Sequence, residues 1–201
     1  MGNAKTWLKG FLMCVVMTVI CGVIYTLVVT GISQLAFPFQ ANGSIVKGDD
    51  GKQYSLLLGQ DFQDDTHMWG RVVSYSQTDL TDPDGNPRLW AGPSNLNPGS
   101  EDEAEAVQDR IEAIREVDPY TADQPIPVDL VTSSGSGLDP SISPAAAEFQ
   151  VERLSHTTGK SEDEIRDIIK KCTTEPQLGV LGDPTVNVVK VNLMLDGILS
   201  E

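Results

Sequence analysis

The chain predicts an α+β fold: a single N-terminal transmembrane helix followed by one exported domain of mixed helices and strands. Three observations predict it. Residues 11–37, FLMCVVMTVICGVIYTLVVTGISQLAF, contain no Asp, Glu, Lys, Arg or His. Lys5 and Lys9 precede that run and the next cation is Lys47. Beyond residue 38, stretches with helical spacing and capping residues alternate with short extended ones bounded by Gly and Pro.

At ~1.5 Å per residue the apolar run spans roughly 40 Å, against a hydrocarbon core of about 30 Å. Backbone polar groups in lipid must be satisfied within the segment, so an unbroken run of this length is a helix. Pro38 ends it. A cleaved signal peptide would carry an apolar stretch of only about 7–15 residues, so the run predicts an uncleaved anchor. The positive-inside rule makes residues 1–10 cytoplasmic, 11–37 transmembrane and 38–201 extracytoplasmic in the cell membrane. A domain on that side has no ordinary access to ATP, NAD or nucleic acid. At ~100° per residue, Thr18, Gly22, Thr26 and Ser33 gather on one side of the helix, opposite Val16, Ile20, Val23 and Leu27. Small and hydroxyl residues predict close approach by a partner helix, unless the hydroxyls instead bond carbonyls four residues back.

Residues 37–44 form a juxtamembrane connector with interfacial aromatics. Residues 44–47 and 53–58 flank a GDDGK turn and predict a hairpin, with Leu56, Leu57 and Leu58 as its buried arm. Residues 59–99 are rich in Gly, Pro, Asn, Asp and Ser and predict a long loop without regular structure, which docks or lines a site. Ser100 and Glu103 form a capping box for a helix whose stripe is Ala104, Val107, Ile111 and Ile114. Residues 126–132 read as a short strand. Ser143 caps and Pro144 opens a second helix that Gly159 ends. Ser161 with Glu164 opens a third, with Ile165, Ile168, Ile169 and Cys172 inward. Residues 184–195 read as a half-buried strand, with room for a bulge at Asn187 or Asn192.

The 201 residues leave room for one domain outside the membrane. The formal charge is −15, and after residue 40 the chain holds 12 Lys and Arg against 29 Asp and Glu, a balance of −17. Such a body repels nucleic acid and anionic lipid; it also keeps a domain soluble and attracts cations within a screening length of about 10 Å. Cys14 and Cys21 lie in the apolar run and Cys172 stands alone outside it, so the domain has no internal disulfide and no zinc spacing.

Ser134, Gly135, Ser136 and Gly137 superficially suggest a nucleophile elbow, but Ser134 and Leu138 stand where G-x-S-x-G needs glycines. An exported serine hydrolase, with His67 or His156 as base, is one alternative function, and a free-standing extracytoplasmic binding module is another. The same loop's backbone N–H groups suit a phosphate or carboxylate. Residues 82–86 resemble a calcium loop, with Pro87 and Pro93 where Gly and Glu are required. No P-loop occurs, and the sequence assigns no catalytic residue and no metal ligand.

Several separated segments then coincide in order: FPFQANGS at 37–44, LLGQDF at 57–62, WGR at 69–71, GPSNLNPG at 92–99, DLVTSSGSGLDPSISPAAAEFQVERL at 129–154 and GDPTVNVVKVNLMLD at 182–196. With the single N-terminal helix, they resemble the C subunit of the bacterial Kdp potassium-transporting P-type ATPase nearly end to end. Val72, Val73 and Ser74, where the family commonly has P-S-A, and residues 76–89 depart from the pattern. The resemblance implies a non-catalytic accessory subunit of high-affinity potassium uptake. Its implied partners are a potassium-selecting channel-like subunit, an ATP-hydrolysing P-type subunit and a small membrane peptide subunit. It further implies a catalytic chaperone that raises ATP affinity, with nucleotide contacts at Ser134, Gly135, Ser136, Gly137 and Gln150. ATP is the only cofactor implied, and by the resemblance alone. With residues 38–201 outside, an effect on ATP affinity has to cross the membrane as a coupling free energy. The acidic domain is expected to sit over the potassium entrance.

Overall fold

The computed structural model describes residues 2–48, 51–81, 85 and 87–199. They form two compact units, residues 1–45 and 46–201.

In the smaller unit, α1 (Gly2–Met17) continues as a π-helical segment (Thr18–Ile24) and then as α2 (Tyr25–Ala36). The helix starts ahead of Lys5 and Lys9 because Ala4, Lys5, Leu8 and Lys9 are themselves good helix formers. Within the span Ala4–Ala36 the apolar stretch has a mean hydropathy of 2.6 and is wholly unburied. The residue before a proline disfavours the helical region, and Phe37 accordingly leaves it at φ −137°, ψ 53°. Pro38 then opens a single turn, α3 (Pro38–Ala41). Asn42 closes the turn, donating to the Pro38 carbonyl at 2.6 Å and to Gln34 Oε1 at 3.1 Å.

The chain passes from the smaller unit to the larger within β1 (Ile45–Lys47), which pairs with β2 (Gln53–Ser55) as a hairpin. Asp49 and Asp50 of its turn lie outside the described residues. Only Leu56 of the expected buried arm is buried: the chain turns after Ser55, leaving Leu57 and Leu58 exposed. The expected structureless stretch 59–99 contains a second hairpin, β3 (Tyr75–Thr81) with β4 (Pro87–Ala91), in register Tyr75↔Ala91. β3 is mostly polar and β4 runs Pro-Arg-Leu-Trp-Ala, so neither shows the apolar alternation that marks a strand in sequence. The calcium-like stretch 82–86 lies outside the described residues except for Gly85.

Helix α4 (Glu101–Val117) starts at Ser100, whose hydroxyl accepts from Glu103 N–H at 3.3 Å. The box is half-formed, because Ser100 N–H donates to the Asn97 carbonyl at 2.8 Å instead of to Glu103. Val107, Ile111 and Ile114 pack on the core while Ala104 is exposed. Residues 126–132 form a 3₁₀ turn (Val128–Leu130) in place of the expected strand, since Pro125 and Pro127 offer no N–H to a ladder and Thr132 Oγ1 donates back to the Val128 carbonyl at 2.8 Å.

The Ser143 cap and Pro144 open the second helix as expected, but it breaks at Phe149 and Gln150 into α5 (Pro144–Glu148) and α6 (Val151–Thr158). The Gln150 side chain donates to the Ala146 carbonyl at 3.1 Å, and Gln150 N–H bonds Ala147 instead. Gly159 ends α6 at φ 72°, and Ser161 and Glu164 make a complete capping box for α7 (Glu162–Lys171). Three short strands, β5 (Ser141–Ile142), β6 (Thr173–Thr174) and β7 (Thr185–Asn187), form an antiparallel sheet in the order β5-β7-β6.

The expected strand 184–195 is extended only as far as Asn187 and then becomes α8 (Val188–Leu195). Asn187 Oδ1 accepts from Lys190 N–H at 2.9 Å, so it is a helix cap and not a bulge. A valine-rich run fits either period, and here the cap decides. Val188 and Val191 enter the main core with Met68, Ile142, Leu154, Ile165 and Val186; Val189 and Leu193 join Leu56 in a second cluster.

Candidate functional site

Between the two hairpins, Met68 and Trp69 lie in no strand, yet buried backbone groups need partners. Two fully buried side-chain amides supply them. Asn192 of α8 accepts from Met68 N–H at 2.7 Å and donates to the Met68 carbonyl at 2.9 Å. Gln150, at the helix break, accepts from Trp69 N–H at 2.7 Å and donates to the Trp69 carbonyl at 3.0 Å. Each amide exchanges both bonds with one residue, as a facing residue does in an antiparallel ladder.

Arg153, fully buried on α6, completes the node. One Nη donates to Gln150 Oε1 at 2.9 Å and the His67 carbonyl at 3.0 Å, and the other to the Asp65 carbonyl. Its guanidinium lies 3.6 Å from the Trp69 ring centroid, and Asp118, also fully buried, stands 3.9 Å from Nε. Burial lowers the Arg153 pKa to about 10, with Asp118 acting against that shift. Next to it His67 bridges two carboxylates, Asp64 at 2.7 Å through Nδ1 and Asp196 at 3.1 Å through Nε2. Burial opposes its charge, but the bonds to Asp64 and Asp196 prevail and raise its pKa. Burial likewise opposes charge on Asp64; bonds from Thr66 and His67 outweigh it and lower that pKa. A cleft of ≈ 390 Å³ opens beside the node, with Trp69, Arg71, Arg110 and Asp61 on its walls. Arg71 and Arg110 are tied to the Ser133 and Val131 carbonyls at 3.1 and 2.8 Å.

The loop at 134–137 is a packing junction. Ser134 Oγ accepts from Gly137 N–H at 2.9 Å and Asp139 N–H at 3.4 Å, and Ser136 Oγ accepts from Leu138 N–H at 3.2 Å. Gly137 has φ +74°, and a Cβ there would collide with the Gly92 and Ser74 carbonyls, so only glycine fits. Gly135 is exposed. Gln150 bonds elsewhere, to Trp69, Ala146 and Arg153, so the two groups join different parts of the chain. Ser134 and Ser136 bond each other at 3.2 Å, while His67 is held by its carboxylates and His156 stacks on Tyr120 at 4.3 Å. Among the described residues no histidine reaches either serine, and no group of three metal-ligating side chains is placed to hold an ion. In the smaller unit Thr18 Oγ1 donates to the Cys14 carbonyl at 2.8 Å. Gly22, Thr26 and Ser33 follow across or beyond the π-helical segment, whose i→i+5 bonds change the angular spacing assumed for the stripe.

Sequence reasoning missed Arg153, and it met His67 only as a candidate base and Asn192 only as a bulge position. The available signal was a polar residue set in an apolar run: Asn192 within VVKVNLML, and Gln150 and Arg153 just after AAA. A buried polar group of this kind demands a partner. What the arrangement does chemically is hold backbone in place.

The comparisons with known proteins agree with one another. A family described as "KdpC: K+-transporting ATPase, c chain" matches residues 7–197. A potassium-transporting ATPase KdpC subunit of Clostridium perfringens is 47% identical over 193 residues, covering 96% of this chain and 98% of its own. Proteins of the same description from Clostridium botulinum, at 45% with 95% of each chain covered, and Sorangium cellulosum, at 46% with 94% and 95% covered, are similar throughout. With its one apolar helix and its amide-held α+β unit, the chain belongs to the KdpC family of K+-transporting ATPase c chains.

Proposed function

We propose that the chain is the accessory C subunit of an ATP-driven, high-affinity potassium uptake complex, anchored by its helix and stabilising the assembly of a potassium-selecting and an ATP-hydrolysing subunit. The end-to-end family match carries this reading, and the unburied apolar helix supports a place in the membrane. In this reading the N-terminus is cytoplasmic and residues 38–201 lie outside, as Lys5 and Lys9 imply. The subunit performs no chemistry of its own. Thr18, Gly22, Thr26 and Ser33 meet a partner helix. Ser134, Gly135, Ser136, Gly137 and Gln150 act by holding the domain's shape, and any rise in ATP affinity reaches the nucleotide site as coupling across the membrane.

The test is copurification. The chain is expected to recover two larger membrane proteins in fixed stoichiometry, and recovery of the chain alone would reject the reading. Sidedness is tested separately with Glu116→Cys, an exposed position on α4, labelled by a membrane-impermeant thiol reagent in intact cells. Labelling only after lysis would reverse the topology.

A further inference from the structure

Between β6 and β7 the chain makes a tight tip. Gln177 N–H donates to the Leu181 carbonyl at 2.9 Å, Leu181 N–H to that of Gln177 at 3.0 Å, and Gly179 N–H to that of Pro176 at 3.0 Å. On this tip Leu178 is 90% exposed, Val180 79% and Leu181 58%. Single exposed apolar residues are ordinary; three within four positions at the end of a bonded arm form a patch. Leu178 also has φ +55°, a conformation that a β-carbon disfavours, so the backbone is held in a sparsely populated state with the side chain in water. A side chain already fixed in its bound posture loses less freedom on docking.

Charge indicates what covers the patch. The tip at 176–182 holds no Lys or Arg, and Glu175 and Asp183 flank it. After residue 40 the chain's balance is −17, which disfavours both an anionic bilayer and a second copy of the same domain. We infer that the 178–181 tip is a preformed plug for an apolar socket, rimmed by basic groups, on another protein subunit of the complex. This rests on the accessory-subunit reading above and names one of its contact surfaces.

The experiment uses the full chain with Cys14→Ser, Cys21→Ser and Leu178→Cys, labelled with a membrane-impermeant maleimide. Cys172 stays silent, being buried with its thiol pKa raised to about 11 by that burial. On assembly with partner subunits the labelling rate is expected to fall at least about tenfold, while Glu116→Cys in the same background is unchanged. The combined Leu178→Ser, Val180→Ser and Leu181→Ser variant is expected to lower recovered complex by about tenfold or more, with Leu57→Ser as the exposed control. An intact complex in which Leu178→Cys labels as fast as in the free chain overturns the inference and leaves the accessory-subunit reading standing. Protection by phosphatidylglycerol–phosphatidylethanolamine vesicles without partners, or protection that rises with concentration of the chain alone, overturns it in favour of a bilayer or a second copy. Failure of the unsubstituted chain to copurify with any partner removes the reading and the inference together.

Discussion

In the helix Ala4–Ala36 the Val, Ile, Leu and Met side chains point outward and none of the apolar stretch is buried, whereas in the larger unit Met68, Leu154, Ile165 and Val191 are sealed inside. The same chemistry is sorted in opposite directions because the two regions answer to different solvents. Their polar groups differ in parallel. The helix satisfies its backbone by itself, while the larger unit contains a segment, Met68 and Trp69, whose backbone depends on side chains distant in sequence. One region is specified locally and the other only when the whole unit has folded.

The largest expected effect tests that dependence. Arg153→Ala leaves Asp118 buried without its partner and removes the bonds to the Asp65 and His67 carbonyls, so it should destabilise the larger unit by about 3–5 kcal/mol. Urea unfolding of the full chain in detergent, followed by circular dichroism, measures it. A loss below about 1 kcal/mol would show that the node is not what holds the segment. Second, Leu27→Arg places a charge within the apolar helix and should cost about 2.5–3.5 kcal/mol of insertion, read as chain lost from the membrane fraction. The same substitution at Leu35, near the helix end, should cost less because arginine reaches the interface. Equal losses would break the contrast between the units.

The smallest effect sharpens it. His67 has its pKa raised above 6.5, so its contribution is fully present below that value and is lost as pH rises through the folded pKa. Asp64 has its pKa lowered below 3.8, so its contribution is present above that value and is lost as pH falls through the folded pKa. The bridge should therefore be strongest between about pH 4 and 6.5. His67→Gln should flatten the alkaline side of the stability profile without altering membrane retention.

The sequence was most legible where a signal is local. Ser143 with Pro144, Gly159, and Ser161 with Glu164 each mark a helix end within a few residues, and each end stands where they place it. Residues 126–132 and 188–195 misled because apolar β-branched runs fit a strand as well as a buried helix or turn, and the choice fell to Pro127 and to the Asn187 cap. The β3–β4 hairpin was invisible because neither strand alternates apolar and polar residues. Gln150 was singled out only through resemblance. Its role was unreadable, since its partner Trp69 lies 81 positions away, as Met68 lies 124 from Asn192.

The paired amides also determine how the domain ages. An amide gives and takes a hydrogen bond, but hydrolysis turns it into a carboxylate that only takes. Conversion of Asn192 would set an anion against the Met68 carbonyl in a site sealed from solvent, whereas at Gln150 the Arg153 guanidinium, 2.9 Å from Oε1, would offset the new charge. Folding shields Asn192 from solvent, so a chain that lingers unfolded until that amide is lost refolds against an uncompensated buried charge.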